Sequence, residues 1–391
     1  MPLLSQALAA TLLDCAVSVV THVPGYGAAE TFAEWQRVAP TPAPLSFHEE
    51  PAFTIAHGAA LCGVRSATLL KSHGLAKAAN SAVDALFAGT VAGFVSIIFD
   101  DETGAHSDCI FDVDAFLRGI GIPFQRCTPS DAAESLRTAF ATSERMQLPV
   151  AIILDAADVN CEVSPPRSES TASAPPLPGW ERAIAHHLVS PLFAPYQRDR
   201  LRAKLRGESL HSIAATLAPP TIPVVPNDLP GPWREAAFRL VPFFEEFRNV
   251  RGEVVAGDTG LTSLFAFPPF DCVDITTYMG GSVPLAIGAM LAGKRGAWCG
   301  TGDFSFIAAG HLGLIEAAIR QLPLKLFILD NGAAVVTGGQ PIAPGMLERV
   351  LAGYSHFVRR IGQPSDRQQV RQVLQEAAAA TEMRIVVVEC R

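Results

Sequence analysis

An α/β fold is what the sequence predicts: two doubly wound parallel-sheet domains joined by a Pro-rich, partly helical linker. Three observations carry this. Short β-branched runs alternate with Ala/Leu-rich stretches of helical length. The alternation occurs twice, over residues 1–160 and again over 236–391. Between them, residues 161–235 hold two Pro-rich segments around a basic, helix-like stretch. In the first part, strands are expected at 18–21, 66–70, 93–99 and 149–154, with helices at 51–61 and 76–87. In the second, strands are expected at 253–256, 297–300, 325–329 and 384–389. The stretch 180–217 reads as helical.

Composition narrows the classes. The 391 residues are 49% hydrophobic and 17% charged, so the chain has material for two cores. No apolar run reaches membrane-spanning length, and the first 15 residues lack a basic start. The net charge of −8 gives no sign of nucleic-acid binding. Eight cysteines are scattered with no C-x-x-C pair, which argues against zinc and iron–sulfur sites. The expectation is a cytoplasmic, soluble protein with neither membrane nor nucleic-acid partner.

Chemistry concentrates in the string Cys299-Gly-Thr-Gly-Asp-Phe-Ser-Phe, followed by a helical stretch at 307–321, the strand at 325–329 and Asp330-Asn-Gly-Ala. This is one strand–helix–strand unit, whose two strands end on the same sheet edge. Asp303 and Asn331 each stand just past a strand end. A carboxylate, an amide oxygen and a nearby carbonyl suit a hard cation such as Mg²⁺. Gly302 permits close backbone approach, and the next helix offers free N–H groups to an anion. Upstream, Gly257-Asp-Thr-Gly-Leu-Thr-Ser follows a strand, and Thr259, Gly260 and Ser263 are candidate caps and phosphate contacts. Tyr278-Met-Gly-Gly-Ser opens a further helix. Each motif alone also reads as a turn with a helix cap; their order is what points to one site.

That order, GDTG, YMGGSVP, GTGDFSF and DNGAAVVTGGQP, resembles the diphosphate-binding domain of thiamine-diphosphate enzymes, in particular phosphonopyruvate and sulfopyruvate decarboxylases and the large subunit of indolepyruvate ferredoxin oxidoreductase. The resemblance implies the thiamine-diphosphate-binding fold, with residues 1–160 as a pyrimidine-binding domain and 236–391 as a diphosphate- and Mg²⁺-binding domain. It implies Asp303, Asn331 and the Ala333 carbonyl as Mg²⁺ ligands, and Met279 as the prop of a bent cofactor. Gly257, Thr259, Gly260, Tyr278, Gly280, Gly302, Phe304, Ser305 and Asn331 would line the cofactor. Two positions depart from the usual pattern: Phe304 stands where Gly-Asp-Gly has its last glycine, and Asp330 where Asn-Asn has its first asparagine.

In this family a carboxyl group at the aminopyrimidine nitrogen activates the cofactor. Phe47-His-Glu-Glu-Pro, followed by a small-residue helix, resembles the segment that supplies it. The nine-residue spacing to Gly58 selects Glu49. Alone, Glu49 and Glu50 also read as first-turn acids complementing a helix dipole. By the same resemblance His48 and His73 are candidate proton donors, and His22, Tyr26, Lys71 and Ser72 candidate substrate contacts. The implied reaction is non-oxidative decarboxylation of a 2-oxo acid to an aldehyde; an oxidoreductase component or a carboligase using the same cofactor is the alternative. The implied assembly is a homo-oligomer, a dimer or a tetramer.

Overall fold

The computed structural model describes residues 1–165 and 179–390. Most of the first Pro-rich segment, residues 166–178, lies outside them. The described chain forms two compact units. The first comprises residues 1–181 with 200–216, the second 182–199 with 217–391.

The first unit is built on five parallel strands: β1 (Val19–His22), β2 (Ser66–Lys71), β3 (Phe94–Asp100), β4 (Phe124–Arg126) and β5 (Val150–Asp155), in the order β1-β2-β3-β5-β4. β3 is buried along its whole length, as a central strand covered on both faces must be. Helices Leu4–Asp14, Ala28–Val38 and Ala132–Met146 cover one face, with Leu8, Trp35 and Phe140 in the core. Helices Glu49–Leu61 and Ala79–Ala88 supply Phe53, Ala56 and Leu86 to a second core. The helix expected at 76–87 is two: Ser72–Lys77 ends at Ala78 before Ala79–Ala88 begins.

The second unit carries a six-stranded sheet. β6 (Val255–Asp258), β7 (Ile275–Thr277), β8 (Trp298–Gly302) and β9 (Lys325–Asp330) are followed by a short antiparallel pair, β10 (Ala333–Ala334) with β11 (Gln340–Pro341). β12 (Val358–Ile361) and β13 (Arg384–Glu389) complete it. The order is β12-β13-β9-β8-β6-β7, parallel throughout. The chain leaves β6 for β7 on one side and returns to β8 on the other. Ligands of open α/β sheets bind at such a reversal, where the two carboxyl ends diverge.

The core beneath is aromatic. Phe243, Phe244 and Phe247 from helix Gly231–Phe247 meet Phe265, Trp298 and Phe327. Each ring removed from water contributes about 1.5–3 kcal/mol. The stretch expected as one helix at 180–217 is broken into Ile184–His187, Ala194–Leu205 and Leu210–Thr216. Its first part is clasped to the second unit by Asp274, which is buried. Asp274 accepts from Arg182 Nε at 2.9 Å and from Val255 N at 2.8 Å, and also binds Arg251.

Candidate active site

The carboxyl ends of β6, β8 and β9 surround a cavity of about 140 Å³. Thr259 and Gly260 line it from β6, Gly302, Asp303, Phe304 and Ser305 from β8, and Asn331 and Ala333 from β9. Met279, 41% exposed, lines it from the turn after β7, and Phe304 is exposed to a similar degree.

The register explains the meeting of Asp303 and Asn331. Gly302 pairs with Leu329, so the residues just beyond the two strands emerge side by side. Asp303 is buried. Its Oδ1 accepts from Phe304 N at 2.8 Å and its Oδ2 from Gly332 N at 2.6 Å. Burial raises its pKa, the two N–H donors oppose this, and the neighbouring Asp330 pushes it up again. Asn331 Oδ1 accepts from Ala333 N at 3.0 Å, which aligns the tight turn after β9. The Asp303 carboxylate with the Asn331 amide oxygen and Ala333 beside it on the cavity is a donor set for a hard cation.

Not every residue expected at the cofactor faces this cavity. Tyr278 is buried outside the lining. Gly257 lies inside β6, where a Cβ would meet Val273 at 2.8 Å. Gly280 is also outside the lining. It has φ +84°, and a Cβ there would come within 2.4 Å of Gly310 N, so it seats the turn on the segment Phe306–Gly310. That segment is a π-helical turn interrupting the helix expected at 307–321. The expected side-chain cap after β6 is corrected too. The N-cap of helix Leu261–Leu264 is Gly260, without a side-chain cap, and Ser263 Oγ donates back to Gly260 O.

One residue of this edge escaped the sequence reading. Asp258, the last residue of β6, is fully buried. Its Oδ2 accepts from Gly280 N at 2.7 Å and from the Thr301 hydroxyl, and its Oδ1 accepts from Ser282 N at 2.9 Å. Burial pushes its carboxyl up to about 6, against these three donors. The signal for it was the acid placed directly after a strand and before Thr-Gly, which reads equally well as a surface turn.

In the first unit, the carboxyl ends of β1, β2 and β3 gather the remaining candidates. Glu49 is the first residue of helix Glu49–Leu61, and His48 is its N-cap, accepting from Glu50 N through Nδ1 at 3.2 Å. Glu49 Oε2 is buried and lies 2.9 Å from Lys77 Nζ. The pair is a close charge contact whose angles fall outside hydrogen-bond geometry. Gly74 leaves the space that Glu49 occupies: a Cβ there would sit 2.9 Å from Glu49 Cγ. Glu50 instead accepts from Asn80 Nδ2 at 3.3 Å, and burial raises its carboxyl pKa.

Lys71 donates to His106 O and stands 3.9 Å from Asp101. Tyr26 packs on the His106 ring at 3.9 Å. His73 Nε2 lies 3.1 Å from Cys109 Sγ, and its ring meets Phe111 edge-on. The other two substrate candidates are not presented at the surface of this unit. Ser72 is buried at its helix start, and His22 is buried and stacked on Phe32 at 3.8 Å. Burial holds the His22 imidazole down at about 4, so the ring is neutral.

Residues 258–390 match the family "Thiamine pyrophosphate enzyme, C-terminal TPP binding domain". Indolepyruvate oxidoreductase subunit IorA of Methanothermobacter marburgensis is 31% identical over 155 residues, which are 39% of this chain and 25% of that protein. The Archaeoglobus fulgidus subunit is 34% identical over 131 residues, 32% of this chain and 20% of that protein. The chain thus spans about a quarter or less of these curated relatives. Two solved structures share its fold. The thiamine diphosphate-dependent 4-hydroxybenzoylformate decarboxylase of Rhodococcus jostii RHA1 has a TM-score of 0.65 at 14% identity, covering 100% of this chain and 99% of that one. Benzoylformate decarboxylase of Polynucleobacter necessarius has a TM-score of 0.67 at 12% identity, covering 100% and 98%. The solved structures share the fold, and the family match with the stretch shared with IorA supports a thiamine-diphosphate-dependent enzyme.

Proposed function

We propose that this thiamine-diphosphate-dependent enzyme decarboxylates a 2-oxo acid to an aldehyde and CO₂ without net oxidation, with Mg²⁺ as the second cofactor. The observation that supports the reading is the convergence of Asp303, Asn331 and Ala333 on one cavity at the β6/β8 reversal. Asp303, the Asn331 amide oxygen and the Ala333 carbonyl would hold Mg²⁺. The donor set fits, because a buried carboxylate, an amide oxygen and a backbone carbonyl line the same cavity and an all-oxygen set suits a hard cation. Thr259, Gly260, Gly302 and Ser305 would face the diphosphate, and Met279 would support the rings.

When bound, thiamine diphosphate supplies the electron sink for the carbon that loses CO₂. Glu49 would hold a hydrogen bond at the aminopyrimidine nitrogen, with Lys77 as its charge partner in the free chain. His73 is the candidate donor of the proton that completes the aldehyde. His48 is a second, since its Nδ1 is occupied as the cap acceptor and a neutral ring then carries its proton on Nε2. Lys71 and Tyr26 would contact the substrate. The apolar side chains Met279 and Phe304 would exclude water at the cavity and favour loss of carboxylate charge. The working form is taken to be a cytoplasmic homo-oligomer, at least a dimer.

The stretch of likeness to indolepyruvate oxidoreductase favours a second reading, in which the chain is an oxidoreductase component. One screen separates the two. Aryl-, alkyl-, phosphono- and sulfo-pyruvates are supplied with thiamine diphosphate and Mg²⁺, once without an acceptor and once anaerobically with a dye acceptor. Aldehyde release without acceptor supports decarboxylation, and turnover only with dye supports the second reading. Glu49→Gln should lower turnover by about 10²–10⁴-fold with its melting temperature unchanged. Wild-type turnover in that variant sinks the assignment of Glu49.

A further inference from the structure

We propose that Asp258 is the positioning residue of the cofactor cavity, the group that holds the turn carrying Met279 in register with the strand end carrying Asp303. The inference rests on the cofactor reading above for what the cavity binds, but not for the positioning itself.

Asp258 ends β6, at the centre of the β7-β6-β8 reversal. No Lys or Arg is among its hydrogen-bond partners in the described residues; three donors share its two oxygens. Those donors come from two other pieces of chain. Gly280 N belongs to the turn immediately after Met279, and Ser282 N to the first residue of the helix Ser282–Leu291 that follows it. Thr301 lies on β8, two residues before Asp303. A buried carboxylate without such donors would be strongly disfavoured. Each of the three hydrogen bonds is charge-assisted, and such bonds are about twice as strong as neutral ones. The carboxylate therefore ties the turn that carries Met279 to the strand end that carries the lining residues 302–305.

The Gly280 turn cannot hold this position by its own side chains. It has φ +84°, and its backbone is pressed against Gly310 without room for a Cβ. Its amide direction is what Asp258 fixes. Neither Asp258 nor Thr301 lines the cavity, so both would act through the residues they orient.

Asp258→Asn tests this. The amide keeps the shape but turns an N–H₂ donor toward a donor, so at least one of the two backbone N–H groups loses its acceptor. Hydrogen–deuterium exchange is followed without cofactor. Peptides covering 278–282 and 301–303 should exchange at least tenfold faster than in the wild type, while a peptide covering β13 (Arg384–Glu389) should not change. Equal rates at 278–282 overturn the proposal, and so does faster exchange throughout the second unit, which would mark a general loss of stability.

Thiamine diphosphate with Mg²⁺ is then titrated by tryptophan fluorescence. The dissociation constant should rise at least tenfold in Asp258→Asn and several-fold in Thr301→Val. Thr301→Ser, which keeps the hydroxyl donor, should stay within twofold of wild type. A Thr301→Val variant that binds like wild type overturns the link to β8. A wild-type protein that binds no thiamine diphosphate overturns the cofactor reading instead, and the exchange arm alone then decides the positioning claim.

Discussion

Replacing Gly74 by alanine sets two consequences of one methyl group against each other. Gly74 is in helix Ser72–Lys77 with ordinary helical φ, so the backbone accepts alanine. In a helix interior that exchange stabilises by about 0.8–1 kcal/mol. The new Cβ, however, lands 2.9 Å from Glu49 Cγ and 3.4 Å from Glu49 Oε1. Carbon atoms rest at about 3.5–4.0 Å, so the Glu49 side chain must retreat by roughly 0.5–1 Å. Misplacement of about 1 Å at a reacting centre costs about 10²-fold. Gly74→Ala should therefore retain or raise the melting temperature while slowing exchange of the C2 proton of bound thiamine diphosphate by about 10–100-fold. The assay is acid-quenched proton NMR in D₂O with Mg²⁺ and saturating cofactor. Wild-type exchange in a normally folded Gly74→Ala protein would refute the assignment of Glu49 as the activating carboxyl.

Two further outcomes concern stability. Lys204 is buried, donates to Gln147 O at 3.0 Å, and is pushed down to about 7 by burial and then by Arg200. Between about pH 7 and its ordinary 10.5 the unfolded chain binds a proton that the folded chain does not, so this penalty is full below pH 7 and relieved as pH rises. Lys204→Met should thus stabilise most near pH 7, and its advantage should shrink by up to about 1.4 kcal/mol per pH unit toward pH 10 in urea unfolding. Asp274→Ala leaves Arg182 and Arg251 without their shared carboxylate, and should cost about 3 kcal/mol in the same assay. A loss under 1 kcal/mol would show that the clasp contributes little.

Much of this was legible because its causes are local. The strands ending at His22, Lys71, Asp100, Gly302 and Asp330 are runs of β-branched and apolar residues closed by polar or glycine signals, and so is the placement of Asp303 and Asn331 past two of them. The missed strands, β4, β7, β10, β11 and β12, are two to four residues long, too short to show a period. The expected helices broke where local propensity was overridden, at Ala78 and at the π-helical turn under Gly280. Asp258 was illegible for a different reason. A charged residue after a strand is expected in water, and what lets it be buried is three donors supplied by residues 22 to 43 positions away. The space Gly74 leaves for Glu49 is equally non-local, being defined by a side chain 25 positions upstream.

The division of residues 182–216 between the two units constrains how the gene can be cut. The polypeptide changes unit at 181/182, at 199/200 and again at 216/217. A fragment ending before residue 200 lacks the segment that brings Lys204 to Gln147, and one starting after 199 lacks the Arg182 that holds Asp274. No single crossover with a relative, and no two-piece split, transfers either unit whole. Chimeras that exchange one unit need three junctions, and a protease nick between 199 and 200 would leave each product carrying part of the other's structure.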